Sequence, residues 1–283
     1  MKTIFGILLV SSFLVSVAFA GGDVQTHVPE LRKMLKGKVA DDYLETKVQG
    51  MARLVEEWSK GDAAWARDIV LAFGRMESAV VSGKLEGIGV VVLVDTSGSM
   101  DVPPAKGVKG RPKKIVSAEK AAARAVNALR GFAKQHPERK LQVGLASFDS
   151  QVKELISFQP MTAGFPQVPK LKAGGGTAIG EALIHAKLSL DKAGVKQQHI
   201  VLITDGQNST GVKPLPVIQA FNLMGLQRFP MLHFIAFDID ADRFRDIETL
   251  FLKRIYEAAD AEQLDRIIDN LFAKEILAES KAL

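Results

Sequence analysis

From Gly87 onward, short apolar runs alternate with stretches whose apolar positions recur three and four residues apart. The run Ile88–Val94 is almost unbroken and rich in valine, the pattern of a parallel strand covered on both faces. Leu141–Phe148 and Val152–Phe158 read as two further strands, separated only by the polar turn Asp149-Ser150-Gln151. His199–Thr204 and Met231–Phe237 complete the predicted strands. Helical spacing predicts helices over Ala118–Ala133, Ala178–Leu190 and Leu215–Met224, and two more near Arg243–Ala258 and Glu262–Ala278. This alternation implies an α/β fold, a doubly wound and mostly parallel sheet with helices on both faces. Ligands of such sheets bind beyond the carboxyl ends of the strands, where the strand order reverses.

Before Gly87 the texture differs. Residues 21–86 read as a helical N-terminal segment with one apolar stripe through Leu44, Val48, Met51, Leu54, Val55 and Trp58, and a second through Trp65, Ile69, Phe73, Met76 and Val80. Asp41-Asp42 and Asp62 precede the stripes as start signals, and Gly83 follows as a stop. Both stripes read as packing faces, with docking of a partner as the alternative. Residues 1–20 combine Lys2, an apolar run from Ile4 and the ending Ala18-Phe19-Ala20, the pattern of a secretory signal peptide cleaved after Ala20. An uncleaved anchor is the alternative, which alone would associate the chain with a membrane. The expected division is therefore a signal peptide at 1–20, a helical segment at 21–86 and the α/β domain at 87–283.

Composition removes whole classes of chemistry. The 283 residues include no Cys, which excludes disulfide frameworks, thiolate zinc sites and cysteine nucleophiles. The five histidines show no metalloprotease-like spacing. The formal charge of +5 is local rather than general. Residues 23–86 hold 10 basic and 11 acidic side chains, and residues 87–283 hold 26 and 21. Five of those 26, Lys106, Lys109, Arg111, Lys113 and Lys114, fall within residues 106–114, which contain no acid, and without them the domain is neutral.

The residues that carry chemistry follow the predicted strands directly. VVVLVDTSGSM places Asp95, Ser97 and Ser99 on a tight turn, with Gly98 between the serines. GGGTA places Thr177 behind Gly174, Gly175 and Gly176 at the start of a helix, and ITDG places Asp205 at the end of another strand. Carboxylate and hydroxyl oxygens are hard ligands, suited to Mg²⁺ or Mn²⁺. A lone D-x-S-x-S is a weak signal, but here three separate elements supply donors in order, each at a strand end or a helix start.

These residues resemble the metal-ion-dependent adhesion site of the von Willebrand factor A domain family, whose pattern is D-x-S-x-S, then Thr, then Asp. The resemblance spans about Gly87 to Phe272 and implies an exported bacterial member of the family with a complete site. It implies that Ser97, Ser99 and Thr177 supply hydroxyl ligands to Mg²⁺, or Mn²⁺, while Asp95 and Asp205 bind directly or through water. It also implies that an Asp or Glu of a partner protein fills the sixth position. Because the basic loop 106–114 follows the D-x-S-x-S turn, it is expected to form a rim that favours such an acidic ligand.

The expectation is an exported, non-enzymatic protein-binding module, periplasmic or else at the cell surface or secreted. The alternatives are a Mg²⁺-dependent hydrolase of the phosphatase kind and an assembly factor docking through the N-terminal helices. Other motifs fail. DIDAD at Asp238, Asp240 and Asp242 has Arg243 where a calcium loop needs Gly. Gly107–Arg111 has no Gly-Lys-Ser/Thr opening a helix, so no nucleotide is expected. No aromatic residues accompany the basic cluster, so no nucleic acid is expected either.

Overall fold

The computed structural model describes residues 85–105, 111–223, 229–244 and 253–276, together with Pro29, Arg32, Lys33, Gln49, Asp68, Ile69, Ala72, Arg75 and Met76. Contacts divide the chain into two units, Met1–Val80 with Leu215–Phe229, and Val81–Pro214 with Pro230–Leu283. In the first unit every described residue before Val80 is helical, and Ile69, Ala72 and Met76 are buried at helix-face spacing. Ile69 and Met76 belong to the second predicted stripe. The first stripe, Gly83 and residues 1–20 lie outside the described residues. Helix α3, Pro214–Leu223, falls almost wholly in this unit, and its Phe221 meets Phe229 edge to face at 6.2 Å between ring centres.

The second unit is built on a six-stranded sheet. Its strands are β1 (Ile88–Asp95), β2 (Leu141–Phe148), β3 (Val152–Pro160), β4 (Gln197–Thr204), β5 (Met231–Phe237) and β6 (Lys253–Ala258). The order is β3-β2-β1-β4-β5-β6, parallel throughout except for β3, which returns antiparallel to β2 through the turn at Asp149–Gln151. Helices α1 (Lys114–Gln135) and α4 (Ala261–Asn270) pack together, and α2 (Ile179–Lys192) packs on β1, β2, β3 and β4.

Strand alternation divides β1 between two cores. Val90, Val92 and Val94 join Ala121, Ala125 and Leu129 of α1 and Leu264 and Ile268 of α4 in one apolar cluster. Gly89 points the other way, where an added Cβ would lie 2.6 Å from both Leu190 of α2 and Val195. The helices therefore cover opposite faces, and β1 is buried on both, as its unbroken apolar run requires. After β1 the chain turns to one side, to β2, and after α2 it passes to the other side, to β4. The strand order thus reverses between β1 and β4, whose carboxyl ends lie side by side with Val94 opposite Ile203.

One predicted element is corrected. Lys253–Ala258, expected at the end of a helix, is the edge strand β6, in parallel register with β5 from Leu232–Lys253 to Phe237–Ala258. Its alternation is weak because an edge strand needs little apolar surface, with Ala258 buried while Glu257 is exposed. Arg243 lies instead in a short 3₁₀ turn, Ala241–Phe244. Helix α1 also begins four residues before its predicted start, at Lys114 rather than Ala118. Among the described residues no helix is long and apolar enough to cross a membrane.

Candidate metal centre

Asp95 is the last residue of β1 and is wholly buried. One carboxylate oxygen, Oδ1, accepts the Ser97 amide at 2.7 Å, and Oδ2 accepts the Thr204 hydroxyl at 2.5 Å. Burial pushes the Asp95 carboxyl up to about 6, against the pull of the Thr204 and Ser97 hydrogen bonds and with a small push from Asp205. Ser97 Oγ lies 3.0 Å from Ser99 Oγ, which donates to Asp205 Oδ1 at 2.7 Å. Thr177 is held from the loop after β4, its amide donating to Ser209 Oγ at 2.9 Å and its carbonyl accepting the Ser209 amide at 2.9 Å. A methyl built on Gly206 would lie 3.5 Å from Thr177 Oγ1 and 3.9 Å from Ser99 Oγ, so these two hydroxyls flank one small space. Asp95, Ser97, Ser99, Thr177 and Asp205 therefore gather at the carboxyl ends of β1 and β4.

The glycine run joins this cluster through backbone. Gly174 donates its amide to the Thr96 carbonyl at 2.8 Å, and the Gly98 amide donates to the Gly175 carbonyl at 3.0 Å. Gly175 adopts φ +77°, with Asp149 and Ser150 at 3.1–3.3 Å from where a Cβ would stand. The glycines thus let their loop lie between the D-x-S-x-S turn and the β2–β3 turn. Ser150 Oγ accepts the Gly176 amide at 2.8 Å, and the Asp149 carbonyl accepts the Ala178 amide at 2.8 Å. These supporting residues carry no motif of their own in the sequence. Thr204 does not either, apart from preceding Asp205.

The basic loop behaves differently from an open rim. Lys106 and Lys109 lie outside the described residues. Arg111 faces Asp260 at 3.4 Å, and Lys113 pairs with Asp101 at 2.9 Å. Lys114 is turned inward, where it is only 7% exposed. Its Nζ lies 2.6 Å from Asp205 Oδ2 and 3.3 Å from Asp238 Oδ2. The cause is its position as the first residue of α1, whose amide donates to the Val102 carbonyl at 2.9 Å and brings the side chain to Asp205.

This donor set fits a hard divalent cation. It offers two carboxylates and three hydroxyls, and among the described residues no three His, Cys, Asp or Glu side chains converge into a softer or more acidic site. Asp205 Oδ2 is buried and receives no aligned hydrogen bond, only the Lys114 ammonium, so it retains lone pairs for an ion. Asp95, Ser97, Ser99, Thr177 and Asp205 are the residues that could hold it.

Comparison with known families matches residues 90–207 to the von Willebrand factor type A domain. That match runs from β1 through β4 and contains all five donors. Over these residues the chain is similar to a von Willebrand factor type A domain, and its mostly parallel six-stranded sheet has the matching α/β fold. Members of this family are mostly non-catalytic protein-interaction modules. Among solved structures, a von Willebrand factor type A protein from Catenulispora acidiphila aligns over 68% of this chain and 43% of its own, at 20% identity and a TM-score of 0.54. The PilB minor pilin from Streptococcus sanguinis aligns over 70% of this chain and 63% of its own, at 15% identity and a TM-score of 0.53. The chain thus spans less than two thirds of either protein, and the likeness is one of fold. No curated protein matches the sequence.

Proposed function

We propose that this chain is an exported protein-binding module whose A domain holds Mg²⁺, or Mn²⁺, on Asp95, Ser97, Ser99, Thr177 and Asp205 and takes an Asp or Glu side chain of a partner protein as a further ligand. The observation that carries this reading is the convergence of hydroxyl and carboxylate oxygens from three loops at the β1/β4 switch point. Hydroxyl ligands are neutral, so two carboxylates leave the bound ion without excess negative charge around it, and the ion stays attractive to an incoming anion. Mg²⁺ is normally six-coordinate and retains water, one molecule of which an acidic side chain displaces. The reading of export rests on residues 1–20 and their small-residue ending.

The test is calorimetric titration of Mg²⁺ and Mn²⁺ into the chain and into Asp95→Ala, followed by capture of partners from the native envelope fraction with and without chelator. Saturable metal binding lost in Asp95→Ala, with chelator-sensitive capture, is the expected result. Binding of neither ion, or capture unaffected by both chelator and Asp95→Ala, overturns the proposal.

A further inference from the structure

We infer that Lys114 is a built-in competitor of the metal: its ammonium occupies Asp205 Oδ2, and a divalent cation must displace it toward Asp238. This rests on the metal-binding reading above and concerns how tightly and when that site loads.

Lys114 and Asp205 form a desolvated pair, with side chains 8% and 0% exposed and Nζ to Oδ2 at 2.6 Å. An Mg²⁺–oxygen bond is about 2.0–2.1 Å long. An ammonium and a dication on one carboxylate oxygen would repel each other at a few ångströms in a site with little water to screen them. Both cannot sit there, so metal entry and the Lys114–Asp205 contact exclude one another.

The same geometry offers the ammonium a second seat. Asp238 Oδ2 lies 3.3 Å from Nζ and is already fixed, since it accepts the Ala105 amide at 2.9 Å and the Asp238 amide donates to the Ala258 carbonyl at 2.8 Å. Asp238 follows β5 directly and stands at φ +56°, a left-handed conformation that Asp tolerates. It lines an open pocket with Asp240 and Glu257. The ammonium already donates to Asp238, so a small swing of a four-carbon side chain gives up Asp205 and keeps Asp238 without moving α1.

Two consequences follow from charge. Without metal, Lys114 compensates Asp205, so the loops hold their arrangement. With metal, the ammonium rests on Asp238, and the three carboxylates of Asp95, Asp205 and Asp238 balance the dication and the monocation. The ion itself then faces only two carboxylates, so it carries no excess negative charge around it and favours an acidic partner group over further water. Because the partner group ligates the ion directly, ion and acidic partner bind with positive cooperativity.

The experiment is calorimetric titration of Mn²⁺ into the full chain, into Lys114→Met and into Asp238→Asn, with thermal melting of each in chelator and in Mn²⁺. Lys114→Met should bind Mn²⁺ about tenfold more tightly and show a larger metal-induced rise in melting temperature than the parent chain. Asp238→Asn, which removes the second seat but leaves the Lys114–Asp205 pair, should bind about threefold or more weakly. If Lys114→Met does not fold, Asp238→Asn decides. Parent-like or weaker binding by a folded Lys114→Met, or parent-like binding by Asp238→Asn when it must decide, overturns the inference while leaving the metal site in place. Absence of Mn²⁺ binding in the parent chain and all variants overturns both.

Discussion

The Thr204 hydroxyl at the end of β4 donates to Asp95 Oδ2 at the end of β1, 2.5 Å across the point where the sheet changes direction. The carboxylate it supports is wholly buried, and burial raises its pKa to about 6, so ionised Asp95 is a strained element of the fold at neutral pH. Asp95→Asn keeps the shape and removes the charge. Its amide oxygen still accepts the Ser97 amide, and the Thr204 hydroxyl can turn to the Gly206 carbonyl, already 3.1 Å away. In chelator at pH 7.5 this variant should be more stable than the parent chain by about 1–3 kcal/mol, since each pKa unit corresponds to about 1.4 kcal/mol. It should also lose metal binding. Urea unfolding in chelator paired with calorimetry reads both, and a destabilised variant contradicts the account of Asp95.

Ser99 allows the metal-binding role to be separated from a structural one. It is solvent-exposed, and among the described residues its hydroxyl hydrogen-bonds with Ser97 Oγ and Asp205 Oδ1, both themselves proposed ligands. Ser99→Ala should therefore change stability in chelator by less than about 1 kcal/mol, as expected for an exposed hydroxyl. Affinity for Mg²⁺ should fall by about tenfold or more, since the substitution removes a donor and leaves Asp205 Oδ1 unsupported. Equal affinity by calorimetry would show that this hydroxyl does not reach the ion.

His199 on β4 supplies a pH dependence unconnected with the metal. Its ring stacks on His233 of β5 at 5.8 Å between centroids, and His233 stacks in turn on Tyr256 of β6. Burial pushes the His199 pKa down to about 4, so the folded protein keeps it neutral where the unfolded chain protonates near 6.5. Between those values the unfolded state binds more protons, and stability falls as pH drops from about 6.5 to about 4, then levels. The loss amounts to roughly 3 kcal/mol from this group. His199→Phe, similar in volume and without a titrating group, should flatten the difference in unfolding free energy between pH 7.5 and pH 4.5 by about that amount.

How much of this could be read from the chain depended on whether the information was local. β1, β2, β4 and β5 are runs of apolar residues long enough to announce buried strands, and the five proposed ligands stand out because each ends or begins such an element. β6 was missed because Lys253–Ala258 is an edge strand with few apolar positions, preceded by Leu250-Phe251-Leu252, which extends a helical spacing into it. Lys114 was misjudged for a different reason. Among five like charges in nine residues it looks solvated, and only Asp205 and Asp238, the latter 124 residues away, turn it inward. Thr204, Asp149 and Ser150 support the site through contacts that no spacing along the chain records.

Two glycines inside helices test the packing from opposite sides. Replacing a helical Gly by Ala ordinarily stabilises by about 0.5–1 kcal/mol, because the backbone loses less freedom on folding. Gly131 on the exposed side of α1 has no atom within 4 Å of a built Cβ, so Gly131→Ala should show that ordinary gain. Gly180 in the first turn of α2 is the reverse case. An Ala Cβ there would stand 2.0 Å from the Val212 carbonyl oxygen and 2.7 Å from its carbon, both backbone atoms that no rotamer change can move aside. Val212 belongs to the loop that runs from Asp205, and the Gly180 amide also donates to Asn208 Oδ1 of that loop at 3.3 Å. Relief must therefore come from shifting the loop that positions Asp205 and supports Thr177. Gly180→Ala should be destabilised by at least about 2 kcal/mol, in the upper range for overpacked sites, and should weaken metal binding although it touches no ligand. Denaturant unfolding of the two variants side by side checks the sign, and a stabilised Gly180→Ala would mean that α2 does not approach this loop as described.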